Sequence, residues 1–174
     1  MKALFVYTSE LDNAAVLARE IASGLGPDVH ITTTPVRSAP NPLAGTFDLI
    51  IVGGTARSTG LQDWLKSLKP QHCLLMAAYD VRATGRFKRG LTTSIGLTRS
   101  MRRLGASSLV LPRTFHEEFE NGPLLPGELG RAGRWGRMLG ILVGANVPEY
   151  RVIPDQPRTW QQRAETRERP TIRL

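Results

Sequence analysis

Thr8, Ser9 and Asn13 lie in a short polar stretch, YTSELDNAA (residues 7–15), between an apolar run and a segment with helical periodicity. Hydroxyls and an amide at the mouth of a helix suit a phosphate, because the helix dipole and the free N–H groups concentrate positive charge there. The same stretch carries two carboxylates, Glu10 and Asp12. Asp is also a strong N-cap residue and takes the N–H groups that a phosphate would use. Two unit charges 4 Å apart interact by about 4 kcal/mol at an effective dielectric of 20. Even half of that removes more than about tenfold in affinity. Two more stretches carry candidate ligand contacts: GGTARSTG (53–60) with Gly54, Thr55 and Arg57, and YDVRATG (79–85) with Tyr79, Asp80 and Arg82. Tyr79 is equally a core residue, and Asp80 equally a turn cap. The two arginines fit either of two arrangements. They bind an anionic small molecule or a partner's carboxylates, or they pair with Glu10, Asp12 and Asp80 and leave a neutral edge.

Other chemistry finds little support. Cys73 is the single cysteine and His30, His72 and His116 are scattered, so neither a disulfide nor a metal site is expected. FHEEFE (115–120) lacks HExxH-type spacing and reads as a solvated acidic connecting loop. Ser58 and Ser94 lack the context of an activated nucleophile. No catalytic constellation emerges, and whether the chain is an enzyme stays open.

The positioning elements are legible as five apolar runs: Ala3–Tyr7, Val29–Thr34, FDLIIVGG (47–54), CLLMAAY (73–79) and SSLVLP (107–112). Between and after them the periodicity predicts helices near 12–25, 61–69, 90–104 and 127–140. Alternating strands and helices imply a doubly wound parallel sheet with right-handed crossovers. Ligands in such sheets bind at the carboxyl ends of the strands, which gathers residues 8–14, 54–60 and 79–86. The last helix carries Gly127, Gly130, Gly133, Gly136 and Gly140, each costing about 1 kcal/mol relative to Ala inside a helix. Close packing or a partner must offset that, or the helix frays. Leu125, Leu129, Ala132, Gly136 and Leu139 mark its apolar face.

At 174 residues and 41% hydrophobic content one domain is expected, over 1–146, followed by an Arg- and Pro-rich tail over 147–174 that reads as extended and partly disordered. No run is long enough to span a bilayer and no signal peptide opens the chain, so a cytoplasmic location without a membrane partner is expected. The net charge of +8 concentrates in residues 82–140, with 11 basic against 4 acidic side chains. The whole stretch 82–103 is free of acidic residues. It reads as a solvated face, since no nucleic-acid motif or aromatic interleaving accompanies it.

Residues 1–140 resemble the flavodoxin-like proteins, specifically small single-domain forms from high-GC bacteria. The opening MKALFVYTSELDNAAVLAREIASGL, then GLQDWLKSL, AAYDVR, RRLGASSLVLP and above all GPLLPGEL (122–129) carry the likeness. The resemblance implies a five-stranded parallel sheet ordered 2-1-3-4-5 and ancestry in an FMN site. It assigns the phosphate to Thr8, Ser9 and Asn13, and the flavin ring to the loops holding Gly54, Thr55, Arg57, Tyr79, Asp80 and Arg82. Where the family loop has Gly-Asn-Thr, this chain has Asp12-Asn13-Ala14, so a donor is lost and a carboxylate gained. The expectation is a degenerate FMN site with weak or absent flavin binding, the protein acting through a rebuilt pocket or a protein surface. The alternatives are an FMN-dependent electron carrier or small flavin oxidoreductase, and a binder of nucleic acid or an acidic partner through 82–103.

Overall fold

The computed structural model describes residues 1–8, 13–41, 46–55, 59–69, 74–84 and 93–150. Strand β1 (Lys2–Tyr7) is followed by helix α1 (Asn13–Gly24), β2 (His30–Pro35), β3 (Leu49–Thr55) and α2 (Thr59–Ser67). Then come β4 (Leu75–Ala83), α3 (Thr93–Arg103), β5 (Ser107–Ser108), β6 (Arg113–Glu117) and α4 (Glu128–Tyr150). The strands pair in parallel in the order β2-β1-β3-β4-β5, the doubly wound 2-1-3-4-5 order that the alternation of elements predicts. Ser9, Glu10, Asp12, Arg57, Ser58, His72, Cys73, the segment 85–92 and the tail from Arg151 lie outside the described residues.

The fifth position of the sheet is split, which corrects the expectation of one strand over 107–112. β5 pairs with the start of β4 through Leu75↔Ser107 and Met76↔Ser108. β6 pairs with its end, from Tyr79↔Arg113 to Ala83↔Glu117. Leu109 N–H still donates to the Met76 carbonyl (2.8 Å), residues 110–112 belong to neither strand, and Pro112, having no N–H, cannot donate to a ladder there. FHEEFE is therefore not simply a loop. Its first three residues complete β6, with Phe115 and Glu117 buried and His116 turned to the other side. The added ladder also carries β4 to Ala83, so Asp80 and Arg82 sit in the same strand as Tyr79 and not in the loop expected after 79.

Alternation along the strands divides the core. Ala3, Phe5, Ile51, Ala77 and Tyr79 face α1 and α4. Leu4, Val6, Ile50, Val52 and Met76 face α2 and α3, where Leu61, Trp64, Leu65, Leu97 and Met101 cover them. Helix α4 extends to Tyr150, beyond the expected end near 140. Its buried stripe is Ala132, Trp135, Leu139 and Val143, whereas Leu129 is 44% exposed. Two of its glycines meet α1 and the residue after it backbone to backbone: a Cβ on Gly136 would press on the Ile21 carbonyl, and one on Gly140 on that of Leu25. Close packing within the chain thus accounts for these two glycines. Trp135, Tyr79 and Phe115 meet edge to face, with centroids 6.0–6.3 Å apart.

Candidate functional site

The carboxyl ends of β1, β3, β4 and β6 bring Thr8, Gly54, Thr55, Asp80, Arg82 and Glu117 to one edge, with the first residue of α1, Asn13, beside them. Thr8 is half-buried and its backbone N–H donates to the Gly53 carbonyl at 3.2 Å, continuing the β1–β3 ladder. Gly54 lies opposite Asp80 in the register, and Thr55 opposite Val81.

Asn13 is half-buried, and its side chain is committed. One amide N–H donates to Glu117 Oε2 at 2.7 Å, and the same nitrogen donates to the Gly122 carbonyl at 2.8 Å. A primary amide has two such hydrogens, so both are in use. Glu117 is 4% exposed. Its other oxygen accepts the Asn121 backbone N–H at 3.2 Å. Asn121 has φ +62°, the left-handed conformation that Asn tolerates better than most residues. The turn is fastened to β4 as well, by Thr84 N–H to the Glu117 carbonyl (2.9 Å) and Thr84 Oγ1 to the Glu118 carbonyl (2.7 Å). Phe119, 60% exposed, lays its ring against Gly122.

Tyr79 is not at the surface. It is fully buried, and its hydroxyl donates to the Ala14 carbonyl at 2.6 Å. Gly53 stands opposite it in the register, and a Cβ there would fall inside the tyrosine ring. That glycine therefore clears a path for Tyr79 to reach α1. Ala14 itself is buried in the core on that side of the sheet. Asp80 is 0% exposed, and one of its oxygens accepts Arg82 Nε–H at 3.2 Å. Of the two arrangements open for the arginines, this one is internal pairing. The Arg82 side chain keeps 30% exposure.

Sequence reading missed Glu117, Asn121, Gly122 and Phe119. The signals were the alternation of Phe115 and Glu117 and the Asn-Gly turn pair at 121–122. On the outer side of β6, Glu128 at the start of α4 pairs with Arg131, with His116 Nδ1 3.8 Å away. Among the described residues no group of three metal-ligating side chains occurs. No described helix is long and apolar enough to cross a membrane.

With this geometry established, solved structures give a consistent comparison. A flavodoxin from the domain Archaea superposes with TM-score 0.64 at 19% identity, covering 83% of this chain and 99% of that one. The fold is flavodoxin-like. A short-chain flavodoxin associated with a bacterial microcompartment gives 0.67 at 14% identity, covering 82% and 99%. A flavodoxin variant from Pseudomonas aeruginosa gives 0.65 at 11%, covering 83% and 99%. No protein-family model and no curated protein sequence matches the chain.

Proposed function

We propose that this flavodoxin-like chain has a degenerate FMN site, with weak or no flavin binding, and acts through a rebuilt pocket at the carboxyl edge or through a protein surface. One observation carries the reading: both amide hydrogens of Asn13 are taken within the chain, one of them by a buried carboxylate. The described residues at the α1 entrance do not fit a phosphate, because a donor it needs is spent and a like charge stands beside that donor. The aromatic expected beside the flavin, Tyr79, has no exposed face to stack. Arg82 pairs with Asp80 through Nε–H and keeps 30% side-chain exposure, so the other N–H groups of its guanidinium suit a small anionic ligand or a carboxylate on a redox or other protein partner.

The second reading, an FMN-dependent electron carrier, draws on the flavodoxins among the structural neighbours. It requires Asn13 to leave Glu117 and turn to the ligand. The visible absorption spectrum of the purified protein, before and after FMN addition, separates the two. The expected result is a colourless protein without a saturable flavin spectral change. A yellow protein with stoichiometric flavin overturns the proposal.

A further inference from the structure

Glu117 is a buried carboxylate at the end of β6, beside the first residue of α1, in a stretch where the sequence suggests only solvated acids. Resting on the reading above, we propose that Glu117 determines specificity at this edge by excluding phosphate-bearing ligands from the α1 entrance. Its carboxylate takes the place of an external anion. One oxygen receives the Asn13 amide, as a bound phosphate oxygen would, and the other receives the Asn121 N–H.

The carboxylate is held in place. Its backbone carbonyl accepts from Thr84, and the following turn closes through Gly122 N–H to the Phe119 carbonyl (2.8 Å) and Glu118 N–H to the Pro123 carbonyl (3.0 Å). Gly122 also accepts the second Asn13 hydrogen, so Asn13, β6 and the turn form one closed set of hydrogen bonds. A dianion seated on α1 would take the Asn13 donor away and leave Glu117 buried, short of a partner and beside a like charge. Buried charges tolerate neither change cheaply. The sequence points to Glu10 and Asp12 as blocking groups, which lie outside the described residues; among the described residues the carboxylate beside Asn13 belongs to a residue 104 positions away along the chain.

Glu117→Gln tests this, because it keeps the shape and an acceptor for Asn13 while removing the charge. Inorganic phosphate and FMN are titrated into wild-type and variant protein by calorimetry, with flavin fluorescence as a second signal for FMN. Both ligands are expected to bind the variant at least tenfold more tightly than wild type. A folded variant, by near-UV circular dichroism, with unchanged affinity for both overturns the inference. The proposal for the function survives that result if wild type stays colourless, and it fails separately if wild type binds FMN stoichiometrically. Should the variant not fold, the side-chain amide NMR signals of Asn13 in wild type give the answer. They are expected to stay unmoved during phosphate titration, and a saturable shift overturns the exclusion.

Discussion

At the scale of single residues, Tyr79, Gly53 and Asn13 each have a role set by one contact. The Tyr79 hydroxyl ties the centre of the sheet to the first turn of α1 through the Ala14 carbonyl. Removing one such bond costs about 1 kcal/mol, so Tyr79→Phe is expected to lower urea-unfolding stability by that amount with an unchanged m-value. Gly53→Ala acts on the same contact from the other side. Its new methyl coincides with the ring, and since β3 is a central strand the backbone has little room to yield. Overpacking of this kind costs about 1–3 kcal/mol, and a loss near the top of that range is expected in the same assay. An outcome within a few tenths of wild type would mean that the ring has another place to go. These two residues also mark how far residue types could be read. The pair Gly53–Gly54 and the tyrosine look like ligand-loop residues in the sequence, yet Gly53 and Tyr79 serve packing. Nothing local distinguishes a glycine that clears a ligand from one that clears a ring on the neighbouring strand.

At the scale of elements, α4 shows how helix propensity and tertiary contact compete. Gly136 costs the isolated helix about 1 kcal/mol relative to Ala, but in the fold it lets α4 approach the Ile21 carbonyl of α1. Gly136→Ala is therefore expected to destabilise by about 1–3 kcal/mol despite its better propensity. Gly144, on the same helix, has nothing within 4 Å of an added Cβ. Gly144→Ala is expected to stabilise by up to about 1 kcal/mol, and thermal unfolding of the two variants side by side checks the pair. Opposite signs support backbone contact as the reason for Gly136; the same sign would remove it. The contrast explains what was legible. Alternating apolar runs and helical stripes announced the layers and strand order, because burial on both faces leaves its mark on consecutive residues. The α1–α4 contact leaves no such mark. The Asn13–Glu117 bond spans 104 positions, so it too was invisible until β6 brought its carboxylate to α1.

At the scale of the whole molecule, the described helices of both layers carry positive charge. On the α2–α3 side, Arg99, Arg102 and Arg103 are exposed, and α3 carries no acidic residue. Arg102 and Arg103 occupy the last turn of α3, where a cation complements the helix dipole by about 0.3–1 kcal/mol each. Arg99 sits one turn earlier and gains little from that effect. A face that serves the helix and a face that serves a polyanion thus make different demands on the same three residues. If the face is a solvated one, Arg102→Gln with Arg103→Gln lowers stability by about 1 kcal/mol at low salt, and the loss shrinks as salt screens the dipole. Arg99→Gln then stays within about 0.5 kcal/mol of wild type. If the face instead binds duplex DNA, three phosphate contacts give a slope of log K against log salt of about −2.7. All three substitutions would then flatten that slope, Arg99 as much as the others. Fluorescence-anisotropy titrations of a labelled duplex at several salt concentrations, set beside thermal melts of the same variants, decide between them. The expected result is a stability effect confined to Arg102 and Arg103 without measurable duplex binding at physiological salt, because the end of a helix suffices to explain where those two charges lie.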